Sequence, residues 1–160
     1  MKTFIGTKVL NAKPMTKSEY NIFRGWKLPS DENGDEPGML VEYIDGGEPN
    51  TEEYAGYVSW SPVEVFNDAY RESGKMNFGH AIELMKRGHI VCRSGWDGKG
   101  MYIYLDEATA IEHSSDTPEN IYDPCFVMFT AEQRFQPGWL ASQADMLSND
   151  WCIVDIDSLN

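Results

Sequence analysis

Between residues 93 and 151 the chain carries the side-chain types that hold a flat, polar small molecule. Trp96, Tyr102, Tyr104, Trp139 and Trp151 accompany Arg93, Lys99, Gln143 and Asp145. Stacking a base on an aromatic ring is worth about 1–3 kcal/mol, while amide and carboxylate groups can read base and ribose edges. The same aromatics would equally serve as the core of a small sheet. Trp96 departs most from core character, because it sits in a Gly-rich polar turn. Charge adds a second cue. Residues 76–104 are net +2, between −5 over residues 1–75 and −10 over residues 105–160. This island suits a small anionic ligand, and it is also what an ordinary solvated helix end looks like. The total of −13 opposes nucleic-acid polymers and anionic membrane surfaces.

Other chemistries find less support. His80, His89 and Cys92 lie close in sequence, but their spacing matches no zinc set and a fourth ligand is missing. A Cys–His nucleophile pair has nothing to mark Cys92 as exposed. The sequence holds no GxSxG, no phosphate-binding Walker loop and no HExxH. Gly95, Gly98 and Gly100 do not match the dinucleotide fingerprint, and a strand rather than a helix follows them. The three cysteines, Cys92, Cys125 and Cys152, each lie in a strand-like run and read as reduced core residues. No cofactor is implied.

These side chains depend on a small set of elements. Phe78, Ala81, Ile82, Leu84 and Met85 share one face at helical spacing. Asn77 is placed to cap that helix and Gly88 to end it in the left-handed conformation. Residues 89–93 and 101–105 read as strands joined by a turn over residues 96–100, where Asp97-Gly98 favours a hairpin. Residues 126–130 and 151–154 are further strands, and Ser142 with Asp145 forms a capped helical turn.

Upstream, residues 3–12 read as an opening strand. Thr16 and Glu19 form a capping box for a short helix. Residues 39–44 and 57–60 are strands. Ser61, Pro62 and Glu64 mark a second helix start, with Val65, Phe66, Ala69 and Tyr70 lining one face. Residues 30–38 and 106–123 are aperiodic and acidic, as surface loops are. The break at residues 73–75 divides a small α+β N-terminal domain, residues 1–75, from a C-terminal domain, residues 76–160. The class is α+β, with a small antiparallel sheet and a packed helix in the C-terminal domain. A length of 160 residues with 41% hydrophobic content supports a folded core without metal or disulfide staples. The N-terminus lacks the long apolar run of a signal peptide, so a cytoplasmic location is expected.

The segments MNFGHAIELMKRGHIVCRSGWDGKGMYIYL and PGWLASQADMLSNDW resemble the Thoeris anti-defence protein 2 family of bacteriophages. That family carries a helix of the MNFxxALxLLKxG type, a GWNGKGM hairpin and a terminal GWLASQTDMLAEDW. The resemblance spans roughly residues 76–155. Asp97 replaces the usual Asn and Ala144 the usual Thr, each removing a hydrogen-bonding option and bearing on ligand preference. The N-terminal part resembles a module that precedes this domain in longer phage proteins.

The resemblance implies a non-enzymatic sponge acting in the cytoplasm of the infected host cell. Such a protein binds a cyclic ADP-ribose-type immune signal and keeps it from its effector, and some relatives take cyclic oligonucleotide signals. It also implies a homo-oligomer, tetramer or dimer, with pockets at subunit interfaces. The residues it designates as ligand-binding are Trp96 and Trp139 for stacking and Lys99 for phosphate charge. Ser142, Gln143 and Asp145 would supply polar readout, with Arg93 a further candidate for the diphosphate. The rival classes are a nucleotide hydrolase and a structural phage protein without a small ligand.

Overall fold

The computed structural model describes residues 1–96, 100–107 and 123–155. Its contacts divide the chain into two compact units, Met1–Tyr70 and Arg71–Asn160. The expected strand over residues 3–12 begins only at Leu10. β1 is Leu10–Pro14, β2 Gly38–Tyr43 and β3 Tyr57–Pro62, an antiparallel sheet in the order β1-β2-β3. Phe4 and Ile5 are almost fully exposed.

Helix α1, Lys17–Phe23, follows β1. The Thr16 hydroxyl accepts from the Glu19 N–H, and the Glu19 carboxylate accepts from the Thr16 N–H, as the i, i+3 pattern requires. The helix delivers Tyr20 onto Leu40 and Val58, with Met15, Phe23, Tyr54 and Trp60 packed around them. The second helix, α2 (Val63–Ala69), departs from expectation. Ser61 stays in β3, Pro62 occupies the capping position, and no side chain caps the helix. Pro62 lies at φ −52 and ψ 141, still extended, so the Ser61 hydroxyl is directed away from the first turn and lies against the Pro62 carbonyl. Val65 and Ala69 are exposed rather than packed, and only Phe66 and Tyr70 pair as rings, 5.0 Å apart.

The second unit contains a five-stranded antiparallel sheet. In chain order its strands are β4 (Val91–Arg93), β5 (Tyr102–Asp106), β6 (Cys125–Phe129), β7 (Phe135–Pro137) and β8 (Trp151–Ile153). Their spatial order is β7-β6-β5-β4-β8, so the last strand returns to lie beside the first. Helix α3, Phe78–Met85, packs against β4 and β8. The Asn77 side chain accepts from the His80 N–H at 3.0 Å, and the His80 imidazole accepts from the Asn77 N–H at 3.3 Å. His80 is therefore part of a cap. At the other end Gly88 adopts φ +84, and the Gly88 and His89 N–H groups close on the Met85 and Leu84 carbonyls.

Ala81, Leu84 and Met85 are the buried face of α3, and Val91, Ile103 and Trp151 are the fully buried residues of the sheet. The rings of Phe78 and Trp151 lie 5.3 Å apart. Residues 73–76 cover the outer edge of β8. The Met76 carbonyl accepts from the Trp151 N–H, and the Ser73 hydroxyl accepts from the Ile153 N–H. That cover places the stretch read as a boundary within the second unit. Between β4 and β5 the register pairs Val91 with Ile103, leaving a loop longer than a two-residue turn. Asp97, Gly98 and Lys99 in that loop, and residues 108–122 of the expected acidic loop, lie outside the described residues. β7 is a short, exposed strand with no sequence-based counterpart.

Candidate ligand-binding site

Arg93 is the last residue of β4, and its register partner is Trp151, the first residue of β8. Asp150 immediately precedes Trp151, so strand pairing alone brings this carboxylate beside the Arg93 guanidinium. Arg93 Nε donates to Asp150 Oδ1 at 2.9 Å, and Arg93 Nη1 donates to Asp145 Oδ1 at 2.8 Å. The arginine thus clamps β8 to α4, the short helix Gln143–Met146. A planar guanidinium suits this geometry because its donors form a rigid fork. Side-chain exposure is 17% for Arg93, 13% for Asp145 and 28% for Asp150, low enough for the pairs to escape most solvent screening.

Asp145 is the centre of the arrangement. It accepts from the Ser142 hydroxyl at 2.6 Å and the Ser142 N–H at 3.0 Å. It also accepts from the Trp96 indole N–H at 3.3 Å, while its backbone carbonyl accepts from the Trp151 indole at 3.0 Å. Burial pushes the Asp145 carboxyl up, but the bonds from Ser142, Arg93 and Trp96 outweigh it and hold the group below the usual carboxylate range. Asp150 is lowered to about 2, first by Arg93 and further by the Ser148 hydroxyl and the Gly95 N–H. Gly95 leaves room for that carboxylate. A β-carbon at this position would stand 2.8 Å from the Asp150 carboxylate.

Trp96 is half-buried and braced. Its ring lies edge-to-face with Trp139 at 6.0 Å and with Trp151 at 5.4 Å, both at 76°. The polar turn expected around it is therefore only part of its surroundings. The other side is core. Trp139 is half-buried too, held by its N–H on the Phe126 carbonyl just after Gly138 at φ +75.

The structure thus assembles Arg93, Trp96, Trp139, Ser142 and Asp145 in one place, with Gln143 exposed on the first turn of α4. Lys99 lies outside the described residues. The polar members are engaged with one another, and Asp145 also meets the Trp96 indole. Asp150, Ser148 and Gly95 are members that sequence reasoning missed, because no local pattern connects residues more than fifty positions apart. Tyr102 and Tyr104 do not join the site. Strand alternation puts them on the sheet face opposite Ile103 and Arg93. There they border an open cavity of about 390 Å³ with His89, Ile90 and Phe135. The cysteines also differ from expectation, since all three are free but only partly buried.

Both clamp carboxyls have lowered pKa values, so the stability they contribute is present above the unfolded-state value near 4 and lost below it. Between about pH 5 and pH 2 the second unit should lose stability through Asp150, on the order of 1 kcal/mol once solvent screening of this partly exposed group is allowed for. Urea unfolding followed by tryptophan fluorescence across that range measures it. Constant stability down to pH 2 would contradict the clamp.

A braced aromatic pair thus lies beside a capped helical turn on an antiparallel sheet. Residues 76–154 match the family model of the Thoeris anti-defense 2-like domain. The chain is also similar to a protein of Bacillus phage SP01 named "Thoeris anti-defense 2". The two are 41% identical over 86 residues, covering 50% of this chain and 96% of the relative. The chain belongs to the Thoeris anti-defence 2 family, and its role is phage anti-defence. Among the described residues no helix is long and apolar enough to cross a membrane.

Proposed function

We propose that the protein binds a cyclic ADP-ribose-type immune signalling nucleotide in the cytoplasm of the infected cell and sequesters it without degrading it. The observation that carries this reading is the pair Trp96 and Trp139, each partly exposed, with Trp96 held by Asp145 and Trp151 and Trp139 by Trp96 and the Phe126 carbonyl. Rings locked before the ligand arrives bind it at lower entropic cost, which favours retention. Trp96 and Trp139 stack the base, Gln143 reads a polar edge, and Lys99 supplies phosphate charge. The Arg93 charge is largely compensated by its two carboxylates and contributes orientation rather than diphosphate binding.

The chemistry of the described groups also favours retention over turnover. Asp145 and Asp150 have no proton to give at neutral pH, and their oxygens are already taken as acceptors by Arg93, Ser142, Trp96, Gly95 and Ser148. The Cys92 thiol is pushed up to about 12 by burial and its cysteine neighbour, which leaves it un-ionised and weakly nucleophilic. Leu140, Met146 and Leu147 are exposed beside the site, at 88%, 46% and 79%. We assign this apolar fringe to a second copy of the chain, in a homo-oligomer whose contacts border the pocket.

Native mass spectrometry of protein purified from signal-producing cells tests both parts. The expected species is an oligomer carrying a cyclic ADP-ribose-type nucleotide, which is recovered intact on denaturation and reactivates its effector. A cyclic oligonucleotide mass would change the ligand assignment. A monomer that converts excess nucleotide to product would overturn the sponge reading.

A further inference from the structure

Cys92 and Cys152 face each other across β4 and β8 as register partners. Their sulfur atoms are 3.1 Å apart. The Cys152 Sγ also lies 3.4 Å from the Cys92 carbonyl oxygen. Directly opposed residues of an antiparallel pair have Cα atoms about 4.5–5.5 Å apart. A disulfide accepts about 4.4–6.8 Å. Strand pairing therefore holds these thiols within bridging reach, sixty residues apart in the chain.

We propose that Cys92 and Cys152 are a reversible oxidative modification site, closing to an intrachain disulfide by exchange with a low-molecular-weight disulfide such as oxidised glutathione. The Cys152 thiolate attacks one sulfur of the oxidant, releasing one small thiol and leaving a mixed disulfide. Cys92 then attacks the Cys152 sulfur, releasing the second small thiol. Two electrons and two protons leave the protein, and one oxidised glutathione becomes two reduced. The order follows from the environment of Cys92. Burial and the neighbouring Cys152 thiol both disfavour its ionisation, and the second influence falls away once Cys152 carries the adduct.

The pairing indicates a switch rather than a permanent staple. The Ser94 N–H donates to the Asp150 carbonyl and the Val154 N–H to the Ile90 carbonyl. These pairs lie two residues to either side, so Cys92 and Cys152 form a hydrogen-bonded pair in the alternation. Cβ atoms in such pairs lie towards the far end of the range, about 5.5 Å apart. A disulfide prefers about 3.8 Å. Closing the bridge must draw the strands together locally, and a strained bridge is more easily reduced. The next register pair is Arg93 and Trp151, so the bridge forms one residue from the clamp.

The test equilibrates the full chain with mixtures of reduced and oxidised glutathione, blocks free thiols by alkylation and maps the peptides. As the oxidised share rises, a single intrachain Cys92–Cys152 bridge should accumulate while Cys125 stays alkylatable. Adding reduced glutathione should reverse it. Cys125→Ser should oxidise in the same way, and Cys152→Ser should form no intrachain bridge. The proposal is overturned if both thiols stay alkylatable throughout, if only mixed disulfides form, or if bridging runs through Cys125 or between chains. The wild-type peptide map decides this even if a serine variant fails to fold.

Discussion

Arg93→Met should destabilise the second unit by about 2 kcal/mol, seen as a lower urea midpoint in tryptophan fluorescence. Methionine roughly matches the arginine stem in length but leaves Asp145 and Asp150 without their shared cation, both largely shielded from water. Removing one partner of a fully buried pair costs about 3–5 kcal/mol, and the partial exposure of all three groups puts this case below that range. Arg93→Lys should fall between, since an ammonium restores charge without the fork that reaches both carboxylates. A different outcome would reassign the residue. Should Arg93→Met keep its urea midpoint and lose nucleotide binding, Arg93 would be a direct ligand contact, as its motif position first suggests.

Trp96→Ala should weaken nucleotide binding about 5- to 150-fold, the loss of one stacking contact. It should also lower stability by about 1–2 kcal/mol, because the ring makes edge-to-face contacts with Trp139 and Trp151. Trp96→Phe separates the two effects. It retains an aromatic face for the ligand but deletes the indole N–H that meets Asp145. Calorimetric titration of each variant with a cyclic ADP-ribose-type nucleotide, beside urea unfolding, gives both quantities. Unchanged binding by folded Trp96→Ala would remove the residue from the pocket.

The sequence by itself determined the features whose partners lie within a few residues. Thr16 with Glu19 and Ser142 with Asp145 close caps, and Asn77 caps α3, because a helix start brings i and i+3 together whatever surrounds it. His80, a loose metal candidate by sequence, proved to be the other half of the Asn77 cap. Gly88 ends its helix in the left-handed conformation for an equally local reason. The apolar spacing of residues 78–85 placed α3, while Trp96 and Trp139, paired beforehand only by the family resemblance, have rings 6.0 Å apart. Ser61 shows the limit of such reading. The right residue types stand at the right spacing, yet the strand continues through Pro62, and pairing with Gly38 and Met39 holds Ser61 and Pro62 in the sheet.

Only the tertiary structure decided what Arg93 does. Its partners lie 52 and 57 residues away, and they meet because β8 returns to pair with β4, a long-range choice that no local pattern encodes. The same return converted two ordinary strand cysteines into an opposed pair. Alternation about Ile103 within β5 sends Tyr102 and Tyr104 to the face opposite Arg93, where they pair with Phe129 and Phe135 instead of the tryptophans. Residue types and spacing were enough to name the candidate side chains. Which of them is free to touch a ligand, and which holds the others still, was set by the pairing of strands distant in the chain.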